Sequence, residues 1–316
     1  MKNFLKTQYN IDATIIKQMT TGAGGKTYKV TSIDKNYMLK LTKEDGMNHP
    51  QIEPFVCEKL SKCGIFVTKF IKNVHNTYSC ELDGYVANVY EFVEGKTVQH
   101  NSLDTKIVNE CATLLAKIHV NLSEFALPEG ISQGFFHFMT PQRAVKSYQK
   151  SLSKAIELGG VEIACYIKAR IDLLQHIEKW KFDASKLTCC NSHGDFTNNQ
   201  IVLGNQTNII DFTSCCKQPV VWELVRFFLH SDKSATDGKI DKMRFEEYLS
   251  CYTKIAPLNN YDLENMFKVY FYQVLVCDYY AQYFDEQDPV KRADYLAQAN
   301  FASKAIVANA DLIKNM

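Results

Sequence analysis

The chain has 316 residues, of which 46% are hydrophobic and 22% are charged. This composition is typical of a globular protein, and the length favours two lobes over a single small core. The net charge is +1, and lysine and arginine form no dense block, so we do not expect a nucleic-acid partner.

The sequence also lacks the roughly 18 uninterrupted apolar residues that a membrane span needs. Its start has no apolar leader, so we expect a cytoplasmic protein without a membrane partner. The 11 cysteines are scattered, which is typical of reduced thiols. The "CC" pairs at 189–190 and 215–216 lack C-x-x-C spacing, so small buried thiols are favoured over a zinc site.

The first ninety or so residues alternate short β-rich runs with turns. The runs are "TIIKQM", "TYKVTS", "NYMLKL", "FVTKFI", "NTYSC" and "YVANVYEFV". Between the third and fourth, "HPQIEPFVCEKLSKCG" has apolar residues at helical spacing and closes on glycine. The sequence therefore predicts a small sheet with one inserted helix, in an amino-terminal lobe at 1–95.

The apolar period becomes helical after "EFVEGKTV", the predicted hinge between lobes. One stripe begins near residue 104 and another covers 163–177. Only 186–213 interrupts this pattern, with short extended segments. We therefore predict a mainly helical carboxy-terminal lobe at 96–316. The aromatic stretch 130–142 is either a lid or a connection between helices.

Two aspartates stand in similar surroundings within the interrupting segment. Asp195 lies in "NSHGDFTNNQI", and Asp211 lies in "NIIDF". Phosphoryl transfer needs one carboxylate that accepts a proton from a hydroxyl and a second that holds magnesium against nucleotide phosphates. A short strand before each aspartate would deliver it to a fixed point. The pair therefore indicates phosphoryl-transfer chemistry.

The run His193, Gly194, Asp195, followed by a polar loop, "IIDF" and "PVVWEL", resembles the signature of the aminoglycoside phosphotransferase and choline kinase family. That signature is H-G-D-x-x-x-x-N, then an apolar D-F or D-W, then a proline and W-D/E-L. The resemblance covers most of the chain and is strongest at 191–226. It implies an α+β, bilobal protein-kinase-like fold, with a small β-sheet lobe carrying one helix and a larger helical lobe.

The resemblance also implies roles for the catalytic segment. Asp195 matches the catalytic aspartate that orients the acceptor hydroxyl, and Asp211 matches the metal-binding aspartate. His193 matches the histidine that braces the catalytic loop.

Lys40 lies among apolar residues in "NYMLKL", where an unpaired ammonium would be costly to bury. It matches the family lysine that contacts nucleotide phosphates, and Glu53 on the inserted helix matches its ion-pair partner. Glu58, on the same helix, is the alternative partner.

Two further segments match the nucleotide site by position. "TTGAGGKTYKV", with Gly24, Gly25 and Lys26, occupies the place of the turn that covers the nucleotide, although the same stretch could form a simple hairpin turn. "NVYEFVEG" resembles the strand whose backbone binds the adenine ring, near Glu91 and Val93.

The chain departs from the family where a second magnesium ligand is expected. The family has asparagine five residues after the catalytic aspartate, and here that position is Gln200. Glutamine displaces the amide oxygen by roughly 1.5 Å, which matters for magnesium. Gln200 could coordinate after a backbone adjustment, Asn199 could replace it, or metal binding could be weakened.

The acceptor is the least determined part. "KVYFYQVLVCDYYAQYFDEQD" brings Tyr272, Asp278 and Tyr279 close together at helical spacing, where they could hold an ammonium group. Aromatic residues at this spacing more often fill a core.

Together these patterns predict a small-molecule kinase that uses ATP (or GTP) and Mg²⁺. It would transfer the γ-phosphoryl group to a hydroxyl of an amine, amino alcohol, sugar-like metabolite or antibiotic, as a monomer or homodimer. The alternative is a catalytically weak nucleotide-binding pseudokinase with a structural or regulatory role.

Overall fold

A computed structural model describes residues 1–19, 25–44, 48–128, 140–180 and 183–316. Gly24 and most of the 130–142 segment lie outside the described residues. The chain divides into two compact units. The first comprises Met1–Gln99, Leu114–Gly134 and Cys190–Gln218, and the second comprises His100–Thr113, Phe135–Cys189 and Pro219–Met316. The predicted lobe boundary between residues 95 and 96 stays a prediction.

An antiparallel sheet forms the amino-terminal part of the first unit. Its five described strands are β1 (Ala13–Gln18), β2 (Gly25–Ser32), β3 (Asn36–Thr42), β4 (Ser79–Leu82) and β5 (Tyr85–Glu91), in the order β1-β2-β3-β5-β4. Alternating apolar residues such as Val30, Leu39 and Val89 are buried, as expected for strands with one face on a core. Because β3 lies between β2 and β5, its backbone is hydrogen-bonded along both edges.

A helix that the sequence analysis did not predict precedes this sheet. Helix α1 (Lys2–Tyr9) buries Leu5 and Tyr9, four residues apart on one face, in the same core as the sheet. It ends at Asn10, whose φ of 56° is a left-handed conformation that asparagine tolerates.

The run at 66–71 does not form the strand that its composition predicts. Val67 makes an isolated parallel bridge with Ile209, and Phe70 makes an antiparallel bridge with Tyr90. Its backbone is therefore shared between two different neighbours, so no continuous ladder forms.

The predicted inserted helix is confirmed as α2 (Glu53–Lys62). Pro54 lies in its first turn, where a missing N–H costs nothing. The helix buries Glu53, Val56 and Leu60, so the glutamate at its start faces the interior with the apolar residues.

Short strands surround the two aspartates. They are β6 (Lys96–Thr97), β7 (Cys189–Ser192), β8 (Ile201–Leu203), β9 (Thr207–Ile209) and β10 (Cys216–Pro219). Within the described residues, β6, β8 and β9 form one small sheet in the order β6-β8-β9, and β7 pairs with β10. Strand β7 ends just before Asp195 and β9 ends just before Asp211, as the sequence predicts.

The rest of the described chain is largely helical. Its helices are α3 (Thr105–Leu122), α4 (Pro141–Glu157), α5 (Val161–Ile177), α6 (Val220–Ser231), α7 (Lys242–Thr253), α8 (Asn260–Val276), α9 (Tyr279–Asp285), α10 (Pro289–Ala308) and α11 (Ala310–Lys314). Aromatic side chains such as Phe227, Tyr248 and Phe271 fill the core of the second unit. The predicted α+β class, with a small sheet and a larger helical part, is confirmed.

Among the described helices, none has the length and apolarity that crossing a membrane would require.

Candidate active site

Three charged side chains from distant parts of the chain meet in the first unit. The Nζ of Lys40 lies 3.1 Å from Oε2 of Glu53 and 2.7 Å from Oδ1 of Asp211. Lys40 is central in β3, opposite Thr27 on β2 and Asn88 on β5. One ammonium therefore joins the sheet, helix α2 and the segment after β9.

Burial makes this triad electrostatically strong. The side chains of Lys40 and Glu53 are 8% and 2% exposed, whereas that of Asp211 is 40% exposed. Burial would lower the pKa of Lys40, but the carboxylates of Asp211 and Glu53 outweigh it and raise that pKa above its ordinary value. The ammonium therefore stays charged at every physiological pH.

The two carboxylates beside Lys40 differ in their ionisation. Burial raises the pKa of Glu53 to about 7, against the attraction of Lys40. Burial would also raise the pKa of Asp211, but the Lys40 ammonium and hydrogen bonds from Lys40 and Thr213 lower it to about 2. Asp211 is therefore the carboxylate that is fully ionised at neutral pH.

Asp211 has a special backbone conformation. Its φ of 66° and ψ of 65° are left-handed, which is uncommon for a residue other than glycine. The next backbone N–H, of Phe212, donates to Oε1 of Glu53 at 3.1 Å. Glu53 therefore bonds Lys40 with one oxygen and holds the Asp211 segment with the other.

His193 connects the two aspartate loops. Its Nε2 lies 2.9 Å from the carbonyl oxygen of Ile210, and its Nδ1 accepts from the backbone N–H of Asp195 at 3.3 Å. These partners require a proton on Nε2, which donates to Ile210. The ring also contacts Phe212, with centroids 4.4 Å apart. His193 thus fixes the loop geometry, as the resemblance implies.

Gly194 allows the two loops to approach closely. Its φ is +88°, and a Cβ placed there would lie 1.7 Å from the carbonyl oxygen of Ser214. No side chain fits in that space, so glycine is required by both conformation and packing.

Gln200 is directed at the other aspartate. Its Nε2 donates to Oδ2 of Asp195 at 2.9 Å, and its Oε1 accepts from Oγ1 of Thr197 at 3.3 Å. Asn199 is exposed, and its Oδ1 accepts from the side-chain amide of Asn198 at 3.0 Å. The amide oxygens of both candidate metal ligands therefore already accept hydrogen bonds.

The donor set suits a hard cation such as magnesium, through Asp211. Mg²⁺ prefers oxygen ligands and is commonly held by one or two carboxylates together with waters and substrate phosphates. The partly exposed carboxylate of Asp211 meets this requirement. Among the described residues, no group of three or more His, Cys, Asp or Glu side chains forms a cage for a metal.

The predicted nucleotide-covering residues are only partly described. Gly25 opens β2, where a Cβ would lie 2.4 Å from the carbonyl oxygen of Leu41. Lys26 is exposed, and its Nζ lies 4.9 Å from the centre of the Tyr85 ring. Gly24 lies outside the described residues.

The predicted hinge residues lie at the end of β5. The N–H of Glu91 donates to the carbonyl of Lys69 at 2.9 Å, and its carboxylate pairs with Lys35 at 2.7 Å. A cavity of about 260 Å³ borders this segment, lined by Val67, Lys69, Glu91, Phe92, Val93, Glu94, Asn205, Gln206 and Asn208. The lining does not include Lys40, Glu53 or Asp211.

Asp278, the candidate acceptor ligand, caps a helix in the second unit. Its Oδ1 accepts from the backbone N–H of Ala281 in the first turn of α9, and its Oδ2 accepts from Ser147 at 2.7 Å and Ser151 at 3.0 Å. Both carboxylate oxygens are thus engaged by the protein.

The tyrosines that were expected beside Asp278 do not share one helix. Tyr272 lies in α8, which ends at Val276, and Tyr279 begins α9. The premise of a single helical face is wrong, because the chain leaves the helix at residues 277 and 278. Tyr272 and Tyr279 are both partly buried.

Sequence reasoning missed two threonines. Thr213 donates to Oδ1 of Asp211, and Thr197 donates to Gln200. A repeated tripeptide could have indicated these threonines, because both Asp195 and Asp211 begin the sequence "DFT".

Comparison with known proteins supports the resemblance to the phosphotransferase and kinase family. The family model described as "Phosphotransferase enzyme family" matches residues 15–258, well over half of the chain. No protein of curated function matches the sequence significantly.

Solved kinases share the fold. A spectinomycin phosphotransferase, solved with ADP and spectinomycin, has a TM-score of 0.67 at 17% identity, covering 98% of this chain and 97% of that one. A microcompartment-associated aminopropanol kinase has a TM-score of 0.65 at 13% identity, covering 99% and 97%. A choline kinase from Cryptosporidium parvum has a TM-score of 0.58 at 14% identity, covering 95% and 90%. The predicted kinase-like fold is confirmed.

The predicted enzyme class, a phosphotransferase with an alcohol group as acceptor, is also confirmed. The chain belongs to the phosphotransferase enzyme family.

Proposed function

We propose that the protein transfers the γ-phosphoryl group of ATP (or GTP) to a hydroxyl group of a small amine, amino alcohol, sugar-like metabolite or antibiotic, in the presence of Mg²⁺. The observation that carries this proposal is the Lys40 ammonium held between Glu53 and Asp211. Two proteins of similar fold were solved with nucleotides: a spectinomycin phosphotransferase with ADP and spectinomycin, and an amicoumacin kinase with AMP-PNP and Ca²⁺. These complexes support a nucleotide as the phosphoryl donor.

The residues of the first unit have different roles in the proposed reaction. Lys40 binds nucleotide phosphate oxygens, and Glu53 keeps the ammonium in place. Asp195 orients the acceptor hydroxyl and accepts its proton as the oxygen attacks phosphorus. His193 and Gly194 keep that aspartate at a fixed distance from the Asp211 segment.

Asp211 is the residue that would hold Mg²⁺, because it is ionised and partly exposed. When bound, the metal neutralises charge on the nucleotide phosphates. Gly25 and Lys26 would cover the phosphates, and the backbone near Glu91 and Val93 would bind the base.

The chemical class of the acceptor decides which residues of the second unit would contact it. An amine would fit the sequence-based expectation that Tyr272, Asp278 and Tyr279 contact it, and a neutral sugar would not need the Asp278 carboxylate. A phosphorylation screen should therefore include amines, amino alcohols, sugars and antibiotics with both ATP and GTP.

The deciding experiment measures nucleoside diphosphate release by the purified protein across this panel. We expect at least one acceptor to stimulate release, and Asp195→Asn and Asp211→Asn to abolish the stimulation. Asp12→Asn is the matched control, because Asp12 is an exposed carboxylate paired with Lys6. Stimulated release that persists in Asp195→Asn would refute the proposed role of Asp195.

The amide oxygen of Gln200 accepts from Thr197, which leaves Mg²⁺ fewer protein ligands and favours one second candidate, a weakly catalytic nucleotide-binding protein. Nucleotide binding without stimulation by any acceptor would support that candidate. Absence of nucleotide binding would contradict both.

A further inference from the structure

The side chain of Gln200 is fixed at both ends. Its amide nitrogen donates to Oδ2 of Asp195 at 2.9 Å, and its amide oxygen accepts from Thr197 at 3.3 Å. The residue is 8% exposed, so water competes little for these bonds. The side chain therefore has one preferred direction.

The backbone of Gln200 is fixed as well. Its N–H donates to the carbonyl of Thr197 at 3.1 Å, and its carbonyl accepts from the N–H of Ile210 at 3.0 Å. Ile210 immediately precedes Asp211 and also accepts from His193. Gln200 is thus anchored to the same segment that carries the other aspartate.

The chemistry of the partners decides which end of the amide faces Asp195. An ionised carboxylate only accepts hydrogen bonds, so it requires the NH₂ group of the amide. The reverse orientation would bring two oxygens with partial or full negative charge together. A metal ligand must use the amide oxygen, and that oxygen is directed to the Thr197 hydroxyl.

The extra methylene of glutamine is what makes this contact possible. Asparagine at position 200 would place its amide roughly 1.5 Å further back. A bond of 2.9 Å would then lengthen beyond hydrogen-bond range unless the backbone moved. Glutamine, which replaces the family's asparagine at position 200, therefore has the length that the contact with Asp195 requires.

We propose that Gln200 is a positioning residue for Asp195 and not a metal ligand. It holds the carboxylate that orients the acceptor hydroxyl, and the metal depends on Asp211 without an amide from position 200. This inference rests on the proposed function, because it assigns the Gln200 contact to the same phosphoryl-transfer site.

Kinetics and metal binding together test the inference. We expect Gln200→Ala to lower kcat by about tenfold to a hundredfold, since displacing a reacting group by about 1 Å has effects of this size. The KM for the nucleotide should stay within about twofold of the wild-type value. The affinity for ADP at each Mg²⁺ concentration, measured by calorimetry, should also stay within about twofold of wild type. Gln200→Asn should behave like Gln200→Ala, because it cannot reach Asp195. The matched control is Gln149→Ala, at an exposed glutamine of α4.

The opposite result has a distinct pattern. If Gln200→Ala weakens Mg²⁺-dependent ADP binding tenfold or more and Gln200→Asn restores it, Gln200 is a metal ligand and the inference is overturned.

A spectroscopic measurement on the free protein separates this inference from the proposed function. The side-chain NH₂ signals of Gln200 can be assigned in ¹⁵N–¹H spectra by their loss in Gln200→Asn. We expect them to shift in Asp195→Ala and to shift little when Mg²⁺ alone is added. Signals that ignore Asp195→Ala would overturn the inference even if the protein is an active kinase. If the wild type binds no nucleotide, the proposed function fails, and the response to Asp195→Ala still decides whether Gln200 positions that carboxylate.

Discussion

The Nζ of Lys40 lies 2.7 Å from Oδ1 of Asp211, although 171 positions separate the two residues in the sequence. The same ammonium bonds Glu53 on helix α2. This contact joins a strand of the amino-terminal sheet to the loop that follows β9. It places the phosphate-binding candidate beside the metal-binding candidate within one unit.

Loss of this ammonium should destabilise the fold. Lys40→Met leaves Glu53 buried without its cation, so we expect the free energy of unfolding to fall by about 3 kcal/mol. Adding Glu53→Gln should recover part of the loss, because the amide carries no charge. Urea unfolding at pH 7 measures both variants.

The control for Lys40 is an exposed ion pair. Lys35 and Glu91 are 2.7 Å apart with side chains 47% and 39% exposed. Lys35→Met should cost less than about 1 kcal/mol. Equal losses in Lys40→Met and Lys35→Met would show that the buried triad contributes no special stability.

Gly194→Ala should disrupt the catalytic loop. The left-handed conformation alone costs a Cβ about 1–2 kcal/mol, and the contact with the Ser214 carbonyl adds overpacking of about 1–3 kcal/mol. We expect a loss of about 2–5 kcal/mol and no measurable phosphoryl transfer. Gly84 is the matched control, since its φ is +75° and a Cβ there would meet no atom within 4 Å. If Gly84→Ala is as damaging as Gly194→Ala, close packing is not the cause.

Asp278 should stabilise helix α9 as its N-cap. Asp278→Ala removes the acceptor for the Ala281 N–H and for the Ser147 and Ser151 hydroxyls, and it should lower the free energy of unfolding by at least about 1 kcal/mol. Asp278→Asn should cost less, because asparagine is also a good N-cap. Thermal unfolding measures both. A tenfold rise in KM for amine acceptors in Asp278→Asn, with neutral acceptors unchanged, would assign the carboxylate to the acceptor, as the sequence suggested.

Acid should destabilise the second unit through His230. Burial lowers the pKa of His230 well below its ordinary value, and the nearby Arg226 and His100 lower it further. The rings of His100 and His230 lie 4.8 Å apart, and both contact Phe301. The unfolded chain therefore binds a proton more readily than the folded one below about pH 6.5.

The resulting stability is present above about pH 6.5 and is lost as the pH falls. We expect acidification from about pH 7.5 to about pH 5.5 to lower the thermal midpoint of the wild type more than that of His230→Gln. The opposing contribution of Glu53, whose pKa is raised to about 7, is the same in both proteins. His75→Gln, at an exposed loop residue, should keep the wild-type dependence. An unchanged pH dependence in His230→Gln would exclude His230 as its source.

The sequence determined the parts of the fold and site that follow from local patterns. Alternating apolar residues marked the strands, and helical spacing marked α2, α3 and α5. Asp195 and Asp211 were recognisable as candidate site residues because each carboxylate directly follows a short segment of apolar or small residues. Lys40 was recognisable because a cation among buried residues requires partners.

The choice between Glu53 and Glu58 needed the tertiary structure. Five residues along a helix correspond to a rotation of about 500°, so the two side chains point in directions about 140° apart. Only one of the two can face Lys40, and the position of β3, which carries Lys40, determines that it is Glu53. Glu58 instead pairs with Lys62 at 2.7 Å on the exposed face and accepts from Tyr78.

The direction of the Gln200 amide was also beyond the sequence. Its two ends are similar in size, and only the arrangement of Asp195 and Thr197 in space distinguishes donor from acceptor. The break between α8 and α9 was hidden for a related reason. Asp278 caps α9 by accepting from the Ala281 N–H, and its other oxygen accepts from Ser147 and Ser151, more than a hundred residues away. The sequence by itself determined the family resemblance and the residues that we propose carry the chemistry. The tertiary structure decided which of them meet, because hydrogen bonds and ion pairs between distant segments have no periodic signal along the chain.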